Sequence, residues 1–528
     1  MVPVRADERV NRRVSLLVPE VDGASGGGLG AAGGGSVAQP DFFVDLNLDQ
    51  VVAAVTAGHE EYDLASFFWR PSHSVDVIAY RHEVFRDLED PGLVVRVSAF
   101  ADAMRAMRSE RALSGKIRNP YQRQRWFVQS AATYVRAVRT LTDDLTATDL
   151  TSRGLLAVRD HVTGQVASAD FAALEEDTRT VLEDLARVRY RMQITGARVR
   201  VSRYEGEADY SADVLACFEK FKQGDVAAHR STFATGPELN HVEAAVLSLV
   251  VRLYPETFAA MAAFCEVHQS YLDRAVATFD REVHFFTAYL RYLAPLRAAG
   301  LVFSYPTVSA RSTHVAVTQS FDLALAHTLV LDGAPIVRND VTMDGAERVL
   351  VVTGPNQGGK TTFARMFGQL HYLAALGLPV PGTSVELSVF DRLFTHFEKQ
   401  EDLSNLTGKL QDDLVRIHDL LERATASSIV ILNEIFTSTT LTDAVLLGAE
   451  VLQRIIALGA RCVCVTFIDE LATLSDSTVS LMSTVEATDP TRRTFSIVRK
   501  PPDGLAYAAA VAEKYRLDYP SLTGRLTT

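Results

Sequence analysis

Continuous runs of apolar, mostly β-branched residues distinguish the C-terminal part of the chain. Residues 349–352 (VLVV), 427–436 (SSIVILNEIF) and 461–467 (RCVCVTF) each contain such a run and are predicted to be buried strands, because a strand covered on both faces is apolar at successive positions. Residues 301–308 (LVFSYPTV) also have strand character. They mark the expected start of a C-terminal domain of a different kind from what precedes it.

Helical spacing dominates the part of the chain before that boundary. Apolar residues recur at intervals of three and four through 77–90 and almost throughout 237–298. Residues 151–195 predict one long helix, and the alternation in 196–206 (GARVRVSRYEG) predicts a strand before a turn at Gly206. Two long helical stretches around a small hairpin suggest a lever with a tip. An ordinary helical bundle would use the same helices and stays open as an alternative.

The length of 528 residues and the hydrophobic content of 47% suggest a multidomain globular chain. Residues 1–40 are predicted to form a flexible arm, because their glycine-rich end cannot offset the entropy lost on ordering. Residues 41–308 are predicted to form a mainly α-helical core with lever helices and a small hairpin tip. Residues 309–528 are predicted to form an α/β P-loop NTPase domain joined to that helical core.

Charge does not decide whether the chain binds nucleic acid. The net charge of −12 argues against a globally basic coat, yet residues 101–140 contain nine Arg or Lys against two acidic residues. With Tyr121 and Trp126 interleaved, this window could contact a polyanion. The commoner alternative is a solvated helix face whose cations pair with acidic neighbours.

Four cysteines in so long a chain do not form a disulfide framework. Cys462 and Cys464 follow strand alternation and are interpreted, with the other two, as reduced core residues. No uninterrupted apolar segment approaches the roughly 20 residues that a bilayer-spanning helix needs, and the N-terminus lacks a signal-peptide core. A cytoplasmic protein without membrane contact is the expectation.

The segment that follows the first apolar run fits a phosphate-binding loop. Gly354 to Thr361 match the pattern G-x-x-x-x-G-K-[ST] between a predicted strand and a predicted helix. Lys360 is expected to bind the β- and γ-phosphates of ATP and Thr361 to hold Mg²⁺. A glycine-rich turn without a ligand is the alternative, but it needs neither side chain. The predicted nucleotide-binding residues are Gly354, Pro355, Asn356, Gln357, Gly358, Gly359, Lys360, Thr361 and Thr362.

The run 427–436 delivers two polar residues at the end of its strand, where an open α/β sheet places ligands. Glu434 is predicted to polarise the attacking water and, with Lys360, to be catalytic. Asn433 stands where such strands usually offer Asp. It is predicted to support the metal and the nucleotide through an uncharged oxygen, so metal binding should be weaker. Either residue could instead be a strand-end cap.

Several signatures of residues 321–517, in order, resemble the ATPase domain of the MutS family of DNA mismatch-repair proteins. TGPNQGGKTT (353–362) is similar to that family's TGPNMxGKST, and ILNEIFTSTTLTDA (431–444) resembles its LxDExGxGTSTxDG. The tail DGLAYAAAVAEKYRL (503–517) resembles the helix that closes the domain. Residues 41–308 look like the family's core and lever regions, and here the resemblance is weaker.

The resemblance implies ATP-controlled engagement of DNA by a homodimer in which the neighbouring subunit completes each nucleotide site. LSNLTGKL (403–410) lies where the family carries its partner-facing loop. Ser404 and Thr407 are therefore candidates to contact the neighbour's nucleotide.

The chain also departs from the family's pattern. Residues 1–40 are too few for the family's mismatch-reading and connector domains, and residues 196–240 carry six basic against seven acidic residues, which does not favour a large DNA clamp. Phe467 stands where the family usually has His and cannot donate to a γ-phosphate, Ile336 stands where an aromatic residue often stacks the adenine, and Asn433 replaces a usual Asp. We therefore expect slow hydrolysis or an ATP-gated switch.

The alternative is a nucleotide-binding scaffold that neither hydrolyses ATP nor binds DNA. The ATPase subunit of a membrane transporter is disfavoured, because the LSGGQ-like signature and the catalytic His that it would need are missing.

Overall fold

The structure, a computed structural model, describes residues 14–19, 38–196, 198–206, 238–398, 408–486 and 488–502. The described chain forms two compact units. The first contains the described parts of Asp90–Thr151 and Leu155–Asp280, and the second contains the described parts of Ser15–Glu89, Ser152–Gly154 and Arg281–Thr528.

Fifteen α-helices occur in these residues. They are α1 (Phe42–Asp45), α2 (Leu48–Thr56), α3 (Ala65–Phe68), α4 (Val75–Asp87), α5 (Pro91–Lys116), α6 (Pro120–Thr146), α7 (Arg153–Val166), α8 (Ala169–Ala186), α9 (His241–Leu253), α10 (Pro255–Val267), α11 (Arg274–Ala298), α12 (Leu323–Leu331), α13 (Lys360–Ala375), α14 (Lys409–Arg423) and α15 (Leu441–Leu458). Short 3-10 helices span Glu60–Tyr62 and Asp469–Thr473.

The strands are β1 (Tyr190–Thr195), β2 (Arg198–Arg203), β3 (Phe303–Ser304), β4 (Thr307–Ser309), β5 (Val315–Ser320), β6 (Asn339–Met343), β7 (Val349–Thr353), β8 (Val380–Pro381), β9 (Ser384–Ser388), β10 (Leu393–Phe397), β11 (Ile429–Asn433), β12 (Arg461–Val465), β13 (Thr478–Glu486) and β14 (Asp489–Arg499). The fold is therefore mixed α/β, as predicted at that level.

Side-chain caps and prolines set the starts of the long helices in the first unit. Asp90 and Asn119 accept backbone N–H groups at the starts of α5 and α6, and Pro91 and Pro120 take the first helical position. These two helices pack along each other, and α6 buries Tyr134 within the unit. The fold thereby satisfies helix ends with local side chains.

The prediction of one helix over 151–195 is wrong. Ser168 interrupts it: its Oγ accepts a hydrogen bond from the N–H of Phe171 at 3.2 Å and caps α8, so a second helix starts there. The chain then leaves helical structure after Ala186 and forms β1. The predicted strand within 196–206 is confirmed as β2, which pairs antiparallel with β1.

The β1–β2 hairpin has two chemically different faces. Strand alternation and pairing place Tyr190, Met192 and Ile194 on one face, and Arg191, Arg198 and Arg200 on the other. All six side chains are exposed. Tyr190 and Met192 also line a cavity of about 630 Å³ together with residues of α9.

The basic window 101–140 lies on α5 and α6. Three of its arginines form ion pairs inside the first unit: Arg105 with Asp102 at 3.3 Å, Arg108 with Asp280, and Arg139 with Glu175. Part of the window's charge is thus neutralised by acidic neighbours, as one of the two interpretations expected.

A six-stranded sheet of order β10-β11-β12-β7-β13-β14 forms the centre of the second unit. Its first five strands are parallel, and β14 runs antiparallel to β13. The predicted strands 349–352, 427–436 and 461–467 appear as β7, β11 and β12, whose residues are all buried. Their unbroken apolar character follows from cover on both faces.

Different helices pack on the two faces of this sheet. Leu452 of α15 and Leu420 of α14 join Val351 and Leu432 in one buried cluster on one face. Helix α13 lies on the other face, and a Cβ at its Gly368 would lie 2.6 Å from Cδ1 of Ile431. The absence of a side chain at this glycine permits the close approach.

A second sheet of order β4-β9-β5-β6 and the short pair β3–β8 complete the unit. The predicted strand 301–308 is divided between these two sheets, since β3 pairs with β8 and β4 pairs with β9.

The described cysteines are free thiols, as expected for reduced core residues. Cys462 and Cys464 on β12 are fully buried. Burial raises the pKa of the Cys464 thiol to about 12 and that of half-buried Cys265 to about 11. Cys217 lies outside the described residues.

None of the described helices alone is long and apolar enough to cross a bilayer. Only α9 and α10, which meet at a bend of 102°, pass the length and composition test as a pair.

Candidate nucleotide-binding site

The loop between β7 and α13 is shaped by contacts that exclude side chains. Gly354 and Gly359 have φ of 107° and 89°, values that L-residues rarely adopt. A Cβ at Gly354 would lie 2.8 Å from the backbone oxygen of Ser483, and one at Gly358 would lie 2.0 Å from its Oγ. Ser483 donates that hydroxyl to the carbonyl of Gly358 at 2.8 Å. Strand β13 therefore supports the loop through Ser483.

Lys360 opens helix α13 and turns its side chain back over this loop. Its Nζ donates to the carbonyls of Gly354 at 2.9 Å and Pro355 at 3.3 Å, and to Oδ1 of Asn356 at 3.3 Å. The residue is buried, and burial lowers the pKa of its ammonium group, while the charge of Glu434 opposes that shift. A buried cation at a helix N-terminus is suited to an anionic ligand.

Thr361 and Asn433 connect the first turn of α13 to the end of β11. The Thr361 hydroxyl donates to Oδ1 of Asn433 at 2.9 Å. Two uncharged oxygens suited to a hard cation thus lie side by side, so the donor set fits Mg²⁺ without supplying charge. In the described part of the chain, no cluster of three or more His, Cys, Asp or Glu forms a separate metal site.

Glu434 follows β11 in a left-handed conformation with φ of 55°. Its N–H donates to the carbonyl of Val465 at the end of the neighbouring β12, at 2.9 Å. Phe436, also at positive φ (59°), is fully buried and fixes the turn in the core. A half-buried carboxylate is thereby held facing the loop, at a backbone angle that is uncommon for Glu.

These groups border a cavity of about 720 Å³. The cavity is lined by two sets of predicted residues: Asn356, Gln357, Gly358, Gly359, Lys360, Thr361 and Thr362 from the nucleotide-binding set, and the predicted catalytic residue Glu434. Gly354, Pro355 and Asn433 do not line it, but Gly354 and Pro355 contact Lys360 and Asn433 contacts Thr361. The structure thus brings the predicted residues together from two strand ends.

Apart from Ile336, sequence reasoning missed the apolar lining of this cavity. It includes Leu325 and Leu329 of α12, Pro335, Val337 and Phe495. Ile336, predicted to replace an aromatic residue, also lines it. No motif in the sequence marks α12 or Phe495 as part of the site.

Phe467 does not belong to this cavity. Its side chain is 50% exposed, whereas Thr466 before it is buried and accepts the N–H of Ile468 at its Oγ1. After β11, Thr440 has a local role, because its hydroxyl accepts the N–H of Asp443 at 3.3 Å and caps α15.

Ser404 and Thr407, predicted to contact a neighbour's nucleotide, lie outside the described residues, as does the segment 503–517.

Comparison with known proteins agrees with these motifs. A family model described as MutS domain V matches residues 350–515. The DNA mismatch repair protein MutS of Exiguobacterium sp. (strain ATCC BAA-1283 / AT1b) is 33% identical over 153 residues, which are 29% of this chain and 18% of that protein. The DNA mismatch repair protein MutS of Shouchella clausii (strain KSM-K16) is 28% identical over 215 residues, which are 39% of this chain and 25% of that protein. The chain thus matches a quarter or less of the length of each.

Proposed function

We propose, from the match of residues 350–515 to the family model described as MutS domain V, that the chain is a MutS-family protein that binds ATP with Mg²⁺, hydrolyses it slowly and engages DNA under ATP control. The observation that carries this proposal is the cradle of Gly358, Gly359 and Lys360 at the end of β7. Backbone N–H groups, a helix N-terminus and a buried ammonium together form a site for a polyphosphate.

Each polar residue of the site has a proposed role. Lys360 exchanges its loop carbonyls for the β- and γ-phosphate oxygens, since the same three donors cannot serve both. Thr361 and Asn433 would hold Mg²⁺ or its waters, and the metal supplies neutralising charge to the phosphates when bound. Glu434 orients and polarises the attacking water as a general base.

Slow hydrolysis is proposed because the supports for the transition state are incomplete. Asn433 is uncharged, and Phe467 neither lines the cavity nor carries a hydrogen-bond donor. Charge that develops on the γ-phosphate would therefore meet fewer preorganised groups than a fast site provides. Binding depends on Lys360 and the loop, which do not share this deficit.

DNA engagement is proposed from the first unit. Arg191, Arg198 and Arg200 share one exposed face of the β1–β2 hairpin, and cations in such an array attract phosphates without reading sequence. Those arginines of the basic window that have acidic partners contribute less. A mismatch-repair role and a homodimer that completes each site through Ser404 and Thr407 are proposed from the family relation.

The test combines nucleotide and DNA binding on the full chain. Mismatched, branched and plain duplex DNA are titrated with ATP, ADP or no nucleotide across a salt series. We expect binding that weakens with salt and differs between nucleotide states. An absence of binding to all three duplexes at low salt overturns the DNA proposal, and an absence of ATP binding overturns the proposal as a whole.

A nucleotide-binding scaffold without hydrolysis or DNA binding is the second candidate function. Asn433 and the outward position of Phe467 favour it. Release of γ-phosphate, measured with and without DNA, separates the candidates: any turnover above that of Glu434→Gln favours the ATPase.

A further inference from the structure

The segment Ser15–Leu17, near the start of the chain, lies in a groove of the second unit. All three residues are buried, and Leu16 is fully buried. A Cβ at Gly154, at the start of α7, would lie 3.3 Å from Cδ2 of Leu16 and 3.2 Å from the hydroxyl of Tyr80. The leucine side chain thus fills a space that a larger residue at position 154 would occupy.

Glu282 of α11 binds the segment from one side. The Oγ of Ser15 donates to its carboxylate, at 3.0 and 2.9 Å from the two oxygens, and the N–H of Leu16 donates to one of them at 2.6 Å. Burial raises the pKa of this carboxyl group, and its hydrogen bonds from the segment oppose the rise. Glu282 therefore depends on the segment for hydrogen bonds that a buried carboxylate needs.

Tyr80 and Arg81 of α4 bind carbonyl groups of the segment. The Tyr80 hydroxyl donates to the carbonyl of Ser15 at 2.6 Å, and Nε of Arg81 donates to that of Leu17 at 2.9 Å. The other edge of the Arg81 guanidinium is fixed by the fold, because its Nη1 donates to the carbonyl of Leu376 at 2.8 Å. The groove thus presents donors and an acceptor in positions that the second unit itself maintains.

This combination of contacts is typical of peptide recognition. The groove binds three successive backbone groups of the segment: the carbonyl of Ser15, the N–H of Leu16 and the carbonyl of Leu17. Main-chain hydrogen bonds provide affinity for a peptide, and contacts to its side chains provide specificity. Ser15–Leu17 belongs to no helix or strand of the described chain, so side chains of the groove take the place of a backbone ladder.

The sequence that follows the segment has the composition of a tether. Residues 20–37 contain eight glycines among eighteen residues, which is typical of linkers between separately binding parts. A linker of this length supplies its ligand at an effective concentration in the millimolar range, roughly. Even a peptide of modest affinity would therefore occupy the groove of its own chain.

We propose that the groove between α4 and α11 is a peptide-binding site, and that Ser15–Leu17 is a tethered ligand that can be released and replaced by a separate peptide of the same sequence. The ligand must offer a hydroxyl to Glu282, a leucine to the space beside Gly154, and backbone groups to Tyr80 and Arg81. This proposal does not depend on the proposed binding of ATP or DNA.

The test separates the ligand from the full chain by cleaving the linker. A protease recognition sequence is inserted after Gly27, and a labelled peptide of residues 12–20 is titrated before and after cleavage. Before cleavage the tethered segment competes, so the apparent dissociation constant should be about 1 mM or weaker. After cleavage and removal of the released fragment by size exclusion, the peptide should bind at least about tenfold more tightly.

Changes in the peptide test the assigned contacts without altering the protein. Leu16→Ala in the peptide should weaken binding to the cleaved protein by on the order of 10- to 100-fold, because the space beside Gly154 is left unfilled. N-methylation of Leu16 removes the N–H that Glu282 accepts, and should weaken binding by a similar factor.

A change in the protein tests the same hydrogen bond from the other side. Glu282→Gln should weaken the unmodified peptide by on the order of tenfold, and N-methylation should then cost less than it does in the unaltered protein. Glu266→Gln, an exposed change on α10, is the matched control and should alter neither value.

Three results would overturn the proposal. If the fragment stays bound after cleavage and never exchanges with the labelled peptide, the segment is a permanent part of the core. Loss of the folded state when the fragment leaves, seen by circular dichroism, has the same meaning. Equal affinity of the N-methylated and unmodified peptides would show that the groove does not recognise the backbone of the segment.

Discussion

Strands β7 and β11 end at the same edge of the central sheet, but their ends are built differently. The end of β7 supplies a glycine loop and the cation of Lys360, which is bound to three loop oxygens. The end of β11 supplies an uncharged amide and a carboxylate at positive φ. The end of β7 has the groups needed to bind an anion. The end of β11 has an uncharged side chain, Asn433, at the position proposed for the metal.

This difference separates two tasks that share one cavity. Phosphate binding depends on the loop and Lys360, and hydrolysis depends on Asn433 and Glu434. Substitutions at the two ends should therefore change different measurements.

The largest effect is expected at Glu434. Glu434→Gln removes the base and keeps the side-chain shape, so ATP turnover should fall by roughly 10²- to 10⁴-fold while the ATP dissociation constant changes little. Phosphate release and equilibrium binding measure the two quantities. Glu450→Gln, an exposed change on α15, is the control. Unchanged turnover would remove Glu434 from the mechanism.

At Lys360, by contrast, we expect a loss of ATP affinity. Lys360→Ala removes charge-assisted hydrogen bonds to the phosphates and should weaken ATP binding on the order of 100-fold, or about 2.7 kcal/mol. Calorimetric titration measures it, with Lys116→Ala, an exposed change at the end of α5 and outside the cavity, as the control. If affinity fell less than about threefold, the loop would not be the phosphate site.

Asn433→Asp should have a smaller effect than the two changes above, and this effect is an increase in Mg²⁺ affinity. The new carboxylate would stand beside Thr361 Oγ1, where Oδ1 now lies 2.9 Å away, and should raise Mg²⁺ affinity in the presence of ATP about tenfold. Because position 433 is buried, the same charge should lower the melting temperature of the free protein. Thermal unfolding with and without MgATP measures both effects. Destabilisation that MgATP does not relieve would contradict the proposed metal position.

The smallest effect is a dependence of ATP affinity on pH. A bound polyphosphate favours the protonated ammonium, so ATP affinity should be constant below the pKa of Lys360 and fall above it, by at most about tenfold per pH unit. Burial lowers that pKa, so the decline should begin at a lower pH than for an exposed lysine. Titration from about pH 7 to about pH 10 in the unaltered protein and in Lys360→Arg, which stays charged, measures it. Parallel profiles would exclude Lys360 as the titrating group.

The sequence predicted those parts of the site that lie together in the chain. Gly354 to Thr362 form one segment between a recognisable strand and helix, so their chemistry and their geometry are both encoded locally. Strands β11 and β12 were predictable for a similar reason, because burial on both faces leaves an unbroken apolar run.

Apart from Ile336, the apolar lining could not be predicted, because its members come from α12, the segment around Pro335 and Val337, and an irregular part of β14. Phe495 lies on β14 where residues 494–496 face Thr484 alone, and its carbonyl accepts a hydrogen bond from Nδ2 of Asn339 at 3.3 Å; neither feature leaves a local pattern in the sequence. The break between α7 and α8 was missed because helical spacing continues across it, although Ser168 is a preferred cap. The division at residues 1–40, 41–308 and 309–528 stays a prediction.

The buried thiols of β12 provide an intrinsic chemical probe of the central sheet. Cys462 and Cys464 can meet a water-soluble alkylating reagent only when the sheet opens, so their labelling rate reports the frequency of that opening. A ligand that binds only the native form reduces the population of open molecules in proportion to its occupancy. Mass spectrometry of pulse-labelled protein, with Cys217 and Cys265 replaced by Ser, would therefore measure nucleotide affinity through two sulfur atoms that the nucleotide does not contact.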